Sequence, residues 1–222
     1  NEVARSSGEF VTAFTPRKAK WVEAKTDDDF ALVFSETFEV KKKEETYRAF
    51  ICGLGFYDAY LNGAKVTDGY FLPLVSDYAE RKNTDNPLIF KSEGYRVCAN
   101  VYDVGNLIKD GSNRIEIVVG DGYYRNLDKT EEPFVSYGGK KAIFEIIYGD
   151  GENAEIIAAS DESARVTKKN AKSSLFNGDF VDFTDGEEGK EEKCVLSKGE
   201  MGRFVFPALG ADKIIREITP LK

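Results

Sequence analysis

The chain has 222 residues, a formal net charge of −8 and a pI of about 4.9. It therefore lacks the positive field that attracts nucleic-acid phosphates or anionic lipids, and no run reaches the ~18 apolar residues of a membrane-spanning helix, so neither nucleic acid nor a membrane is predicted as a partner. Histidine is absent, which removes the most common general base and zinc ligand.

The three cysteines, Cys52, Cys98 and Cys194, are widely spaced along the chain. An odd number at such spacing argues against a disulfide framework and against a zinc site of the C-x-x-C kind. Cys52 and Cys98 lie in the apolar runs FIC and RVCANV, which are typical of strands that bury small hydrophobic side chains.

The first part of the chain predicts an extended segment followed by two strands. Residues 1–29 carry the single tryptophan, Trp21, and are expected to form a lead-in that packs on the rest of the protein. The segments 30–40 and 47–55 alternate apolar and polar residues with the period of a strand that buries one face.

The sequence GFYDAYLNGAKV, residues 55–66, predicts a hairpin. Its two strands meet at Asn62 and Gly63, since an Asn-Gly pair tolerates the positive φ that a tight turn requires. This turn geometry by itself accounts for both residue types, so Asn62 and Gly63 are assigned a structural role.

Residues 96–104 predict another strand, which is followed by one helical turn over residues 106–113. Asp103 is expected to accept backbone N–H bonds at the start of that turn. Gly111 and Asn113 suit a left-handed exit from the turn and the entrance to the next strand, so these three residues are also assigned structural roles.

The remainder of the chain continues the strand pattern. Residues 114–124 form the clearest strand, and residues 142–151 and 154–159 predict a second hairpin. The acidic run 185–193 predicts a solvated loop, because like charges repel one another. Shorter strands are predicted at ARVTK (164–168), DFVDF (179–183), GRFVFPAL (202–209) and DKIIREI (212–218). About a dozen short strands without a long amphipathic helix predict an all-β jelly-roll sandwich.

Two loops carry candidate binding residues. In GDGYYRN, where the clearest strand meets a loop, Asp121 and Arg125 can hydrogen-bond sugar hydroxyls, and Tyr123 and Tyr124 can stack on a sugar ring. The loop PLVSDY adds Asp77 and Tyr78. These six residues are candidates for contact with carbohydrate or with a partner domain, the alternative being that they pack the end of the strand.

The order of the motifs resembles a known family. GLGFYDAYLNGAKV, PLVSDYAER and YDVGNLIKDGSNRIEIVVGDGYYRN, followed by IFEIIYGDG, ASDESARV and FNGDFVDF, are similar to the amino-terminal β-sandwich region of bacterial α-L-rhamnosidases. The resemblance runs from about Phe30 to the end of the chain and implies a single galactose-binding-domain-like sandwich over residues 30–222. Tyr123 and Ala164 stand where the family usually has tryptophan.

The resemblance implies a non-catalytic accessory domain, because the catalytic acid and base of α-L-rhamnosidases belong to a helical barrel that follows this region. No catalytic residue is predicted here, and the expected partners are the catalytic domain of the same chain and rhamnose-containing carbohydrate. Two alternatives remain open: a sugar-binding jelly-roll domain of another, β-galactosidase-like glycosidase, or a structural interdomain module without a ligand. Ligand titration distinguishes the accessory domain from a module without a ligand, and the sequence that follows Lys222 in the parent gene distinguishes it from a domain of another glycosidase.

A cofactor is not expected, although calcium is considered. The oxygen-rich loops NTDN (83–86) and GDGE (149–152) contain residue types that coordinate calcium, and related rhamnose-binding modules use this ion. Neither loop has EF-hand spacing, so both are predicted to be solvated turns without a metal site.

Overall fold

A computed structural model shows how these segments pack. It describes residues 14–26, 29–41, 46–75, 78, 95–125, 136–149, 153–174, 178–184, 189–198, 202–207 and 210–219. The regular elements within these ranges are strands, and the prediction of an all-β fold is confirmed. No helix in the described ranges is long and apolar enough to span a bilayer.

The strands, numbered in chain order, divide into two main sheets and two small ones. Their bounds are β1 Val22–Glu23, β2 Leu32–Val40, β3 Tyr47–Leu54, β4 Tyr57–Leu61, β5 Ala64–Lys65, β6 Arg96–Cys98, β7 Asn100–Asp103, β8 Gly111–Val119, β9 Lys141–Tyr148, β10 Glu155–Ala159, β11 Arg165–Lys168, β12 Ala171–Ser174, β13 Gly178–Val181, β14 Glu192–Lys193, β15 Val195–Leu196 and β16 Arg203–Val205.

The first six-stranded sheet has the order β15-β1-β9-β3-β7, and β10 also pairs with β9. The second six-stranded sheet has the order β14-β11-β2-β8-β4-β5. Strands β12 and β13 form an antiparallel pair, whereas β16 and β6 are parallel. Neighbours in the sheet are often distant in the sequence, which is expected of a sandwich with crossing connections.

The main core lies between the inward faces of the two sheets. Alternating residues of β2 and β8, such as Phe34, Ile115 and Ile117, are fully buried and belong to the same cluster as Ile51 and Phe144 of the other sheet. Each such side chain contributes about 1.5–3 kcal/mol on burial, so this period-2 pattern is the main source of stability.

A second apolar cluster covers the other face of the β3–β9 sheet. Phe50, Cys52 and Ile143 are buried there, beneath the partly buried Trp21 and Phe204. Strand β3 is therefore apolar on both faces, because segments outside the two main sheets shield its outer side. The described lead-in thus packs on the sandwich and also contributes β1, which pairs with β9 and β15.

A buried carboxylate holds the lead-in in place. Glu145, in the middle of β9, is inaccessible to solvent. Its oxygens accept backbone N–H bonds from Arg17 at 3.0 and 3.1 Å, from Lys18 at 2.7 Å and from Ala19 at 3.0 Å. These N–H groups hydrogen-bond the carboxylate, whose charge would otherwise be costly to bury.

The Asn62-Gly63 turn does more than reverse the chain. Both residues have positive φ, 54° and 80°. The Asn62 amide donates to the Leu107 carbonyl at 2.9 Å and to Oδ1 of Asn113 at 2.8 Å. Its oxygen accepts the N–H of Arg114 at 3.0 Å. The hairpin is thereby tied to the turn that precedes β8.

That preceding turn is organised by the other assigned structural residues. Asn113 accepts the Lys109 N–H at 2.9 Å and donates to the Lys109 and Gly111 carbonyls at 2.8 and 2.9 Å. Gly111 has a φ of 79°. Asp103 accepts the N–H of Gly105 at 3.0 Å. Buried Asn113 therefore connects both ends of the turn.

Some predicted strand boundaries are wrong, and one predicted strand is absent. The predicted strand 96–104 is interrupted at Ala99, and the strand 114–124 ends at Val119. Residues 212–218 are not a strand, since Asp212 makes a single bridge to Tyr70. An apolar run can form a stable strand only where a neighbouring strand pairs with it, and Ile215 is 97% exposed.

We predict that Glu145→Gln lowers the free energy of unfolding by about 2 kcal/mol, because an amide NH2 would face backbone N–H groups. Urea unfolding measures the change. Glu155→Gln, at an exposed position of neighbouring β10, is the matched control and should leave the midpoint unchanged. Equal midpoints for both variants would contradict the anchoring role of Glu145.

Gly63→Val is expected to cost about 1 kcal/mol or more, because a β-branched residue resists positive φ. Nothing lies within 4 Å of a Cβ placed at Gly63, so the cost is conformational rather than steric. Ala64→Val, at the next, exposed position of the hairpin, should be nearly neutral. Thermal unfolding compares the two, and an unaffected Gly63→Val variant would show that the turn geometry is not required.

Candidate functional site

The predicted binding residues of GDGYYRN lie in a tight turn after β8. The N–H of Arg125 donates to the Asp121 carbonyl at 3.2 Å, and Gly122 has a φ of 56°. A Cβ at Gly122 would lie 2.6 Å from the Phe56 nitrogen, so glycine permits the close approach of these two backbones. The turn directs Tyr123 towards solvent, whereas Tyr124 is buried.

The charged groups of this turn form a buried ionic cluster. Asp121 Oδ1 accepts hydrogen bonds from Arg125 at 2.9 Å and from Lys140 Nζ at 3.0 Å. Arg125 also donates to Asp29 at 3.0 Å. The Lys140 side chain is inaccessible to solvent and Arg125 is nearly so, while Asp29 lies at the exposed end. Both buried cations are thus paired with carboxylates.

Three tyrosines pack beside the ionic cluster. The ring of Tyr78 lies 5.3 Å from that of Tyr124 and 5.5 Å from that of Tyr137, measured between centroids. The Tyr124 hydroxyl donates to the Tyr137 carbonyl at 3.3 Å. Tyr78 and Tyr124, both predicted site residues, are thus brought together, while Asp77 lies outside the described residues.

The aromatic face, defined as Phe56, Phe71 and Tyr123, is a second group of aromatic residues in this region. The Phe56 ring centroid is 5.6 Å from that of Phe71 and 5.4 Å from that of Tyr123. Phe71 is 60% exposed and Tyr123 is 47% exposed. Such a surface suits either a partner protein or the apolar face of a sugar ring.

Several members of this region are not predicted from the sequence. Phe56 and Phe71 are among them, because exposed aromatics have no periodic signal that distinguishes them from core residues. Lys140 and Tyr137 are also unpredicted, because a lysine or a tyrosine before a strand is an ordinary surface residue in sequence terms. Only the packing places them next to Asp121 and Tyr124.

The acid–base chemistry of the described carboxyl groups centres on Glu36. Burial raises the pKa of Glu36, which accepts a hydrogen bond from Ser163 Oγ at 3.1 Å. The hydrogen bonds from Ser163 lower the pKa of nearby Asp161. Glu36 lies on β2 and remains partly exposed, so no enclosed site surrounds this carboxyl group.

A metal site is not found among the residues that the structure describes, since none of their His, Cys, Asp and Glu side chains form a suitable group of three. The loop NTDN (83–86) and residues 150–152 of the second oxygen-rich loop lie outside the described residues. Gly149, which is described, has a φ of 84° and belongs to a turn.

Comparisons with known sequences identify related domains. The family model of the α-L-rhamnosidase N-terminal domain matches residues 42–86 and 89–195. An α-L-rhamnosidase from Formosa agariphila is 27% identical over 164 residues, and one from Streptomyces avermitilis is 26% identical over 179 residues. These matches cover 70% and 79% of this chain, but the chain spans only 15% of the length of each relative.

Solved structures support the same fold. An α-L-rhamnosidase from Dictyoglumus thermophilum is 26% identical, with a TM-score of 0.71 over 92% of this chain and 24% of that one. The Streptomyces avermitilis enzyme complexed with L-rhamnose has a TM-score of 0.54 over 69% of this chain and 14% of that one. At 23% identity, the second comparison supports the fold alone.

We predict that Asp121→Asn destabilises the protein by about 3 kcal/mol, because Lys140 and Arg125 would lose the charge that compensates their burial. Asp58→Asn is the control, since Asp58 pairs with Lys65 at 2.7 Å on the surface and should contribute less than about 1 kcal/mol. Urea unfolding measures both. A loss at Asp121 no larger than at Asp58 would contradict the structural role of the cluster.

Proposed function

The chain belongs to the family of α-L-rhamnosidase N-terminal domains, and we propose from this membership that it is a non-catalytic accessory domain of an α-L-rhamnosidase. It supports the catalytic domain of the same chain through the aromatic face. The observation that carries the proposal is the pairing of the charged residues of the 121–125 turn with one another beneath an exposed aromatic surface.

The chemistry of glycoside hydrolysis favours a non-catalytic role. Hydrolysis requires two carboxyl groups on opposite sides of the glycosidic bond, one of them with a raised pKa. Glu36 has the raised pKa among the described carboxyl groups, but it is partly exposed, and Arg114 and Arg165 counteract the effect of burial. A general acid in so open a position lacks the enclosing surface that orients a sugar.

The aromatic face has the composition of a protein contact surface. Aromatic residues are enriched in such surfaces, and charged groups are depleted at their centres. Asp121 and Arg125 are engaged with each other, so the turn presents the Tyr123 ring rather than a charge. Covering Phe71 and Tyr123 with another domain would remove apolar area from water without breaking the ionic cluster.

Carbohydrate binding is the second candidate, and the exposed ring of Tyr123 favours it. A tyrosine ring can stack on a sugar, and Phe71 extends the same surface. A monosaccharide in contact with these two exposed rings would bury little area. An affinity near millimolar, worth about 4 kcal/mol, is expected if this face binds sugar.

The proposed lack of catalytic activity is tested with aryl α-L-rhamnosides. We expect no hydrolysis by the isolated 222-residue chain, because Glu36, the described carboxyl group with a raised pKa, is partly exposed. Turnover by a pure preparation that is lost in Glu36→Gln would overturn the non-catalytic assignment. A Glu39→Gln variant, at an exposed position of the same strand, is the control.

The proposed contact with the catalytic domain is tested by comparing the effect of one substitution in the isolated chain and in the intact parent enzyme. Phe71→Asp should change the stability of the isolated chain by less than about 0.5 kcal/mol, because Phe71 is exposed there. In the intact parent enzyme it should lower the melting temperature clearly, since it places a charge in an interface. Thr37→Asp, on the exposed side of β2, is the control. The same response in both contexts would contradict a contact at this face.

The sugar alternative has its own readout. Titration of the isolated chain with L-rhamnose, with and without calcium, is followed by amide NMR shifts. Saturable shifts at Tyr123 that disappear in Tyr123→Ala would favour carbohydrate binding at the aromatic face. Their absence at tens of millimolar sugar would leave the contact role as the function of this surface.

A further inference from the structure

A cavity of about 330 Å³ lies at edge strand β7, and its described lining residues do not include those of the aromatic face. Its apolar walls include Leu72, Val101 and Phe206, and its polar lining includes Asn100 and Tyr102. Pockets for small molecules combine mostly apolar walls with a few oriented polar groups, and their volumes begin near 300 Å³. The cavity therefore has the size and the lining of a small-molecule site.

A buried hydrogen-bond chain orients the polar groups of this cavity. Asn100 Nδ2 donates to the hydroxyl of Tyr57 at 2.9 Å, and the hydroxyls of Tyr57 and Tyr102 are 3.0 Å apart. Burial raises the pKa of Tyr57 well above its usual range and that of Tyr102 to about 12. Both phenols consequently remain protonated and neutral at physiological pH.

The direction of these hydrogen bonds follows from the numbers of donors and acceptors. Tyr57 is buried and receives the Asn100 N–H, so its own proton needs an acceptor, which the Tyr102 oxygen supplies. The proton of Tyr102 is then directed elsewhere, and Tyr102 lines the cavity. Tyr102 can thus donate a hydrogen bond to a molecule inside it.

Asn100 supplies the complementary acceptor. Its side-chain nitrogen is used by Tyr57, and within the described part of the chain no group donates to its side-chain oxygen. Because Asn100 also lines the cavity, a donor and an acceptor on alternate residues of β7 border the same space. Among the described lining residues the charged group is Lys213, which is paired with Asp68 at 2.8 Å.

We propose that this cavity binds a small neutral polyhydroxyl molecule of monosaccharide size. One ligand hydroxyl accepts a hydrogen bond from the Tyr102 hydroxyl, and a neighbouring ligand hydroxyl donates to the side-chain oxygen Oδ1 of Asn100. The C–H groups of the ligand contact Leu72 and Phe206. A neutral ligand is favoured over an anion because Lys213 already has a counterion. This site is independent of the aromatic face and adds to the function proposed above.

The experiment titrates the ¹⁵N-labelled 222-residue chain with L-rhamnose, D-glucose and glycerol, each to about 100 mM, a range that covers millimolar affinities. Saturable amide shifts are expected at residues 99–102 and 210–211 for at least one of the two sugars, with a weaker response to glycerol. No saturable shift at these residues with any of the three probes would overturn the proposal. Shifts confined to Tyr123 would also overturn it and would instead support sugar binding at the aromatic face.

Substitutions then test whether the amide shifts arise from binding in the cavity. Tyr102→Phe removes the donor and keeps the ring, so the dissociation constant should increase about fivefold or more. Ala211→Leu fills part of the cavity and should abolish the shifts even if Tyr102→Phe proves too unstable to study. Tyr60→Phe, which removes a hydroxyl from neighbouring β4 outside the cavity, should bind as the parent does. Unchanged affinity in Ala211→Leu, with thermal unfolding showing a folded variant, would overturn the assignment.

Discussion

The ion pairs of the Asp121 carboxylate hold the turn after β8 and its neighbouring segments in place. Two buried cations, Arg125 and Lys140, meet at one of its oxygens, and a charge buried without a partner would be costly. Through these bonds the turn after β8 is joined to the residue that precedes β9 and, through Asp29, to the residues before β2. The ionic cluster therefore fixes the positions of three chain segments relative to one another.

This arrangement determines which side chains the domain presents to its surroundings. The ionic groups are directed inward, Tyr124 packs against Tyr78 and Tyr137, and Tyr123 joins Phe56 and Phe71 at the surface. The exposed surface is consequently aromatic although the sequence of the turn is largely polar. A surface of this kind is suited to contact with another protein surface.

Buried polar residues perform a similar task elsewhere in the sandwich. Glu145 attaches the lead-in through three consecutive backbone N–H groups, and Asn62 attaches the hairpin to the turn before β8. Each polar group has several partners, which offsets its desolvation and makes the attachment specific in direction. Apolar packing holds the two sheets together, whereas these polar groups position the segments between the strands.

The sequence by itself determined the all-β class and most strands, because the period-2 pattern of segments such as β2 and β8 and the Asn62-Gly63 turn are local signals. The order of its motifs also indicated the family by resemblance. The sequence also identified Asp121, Tyr123, Tyr124 and Arg125 as a notable group. Only the tertiary structure decided that Asp121 and Arg125 are turned inward and that Tyr123 is exposed. Their partners Lys140 and Asp29 are distant in the sequence, and whether a polar side chain is buried depends on the charges that the fold brings beside it.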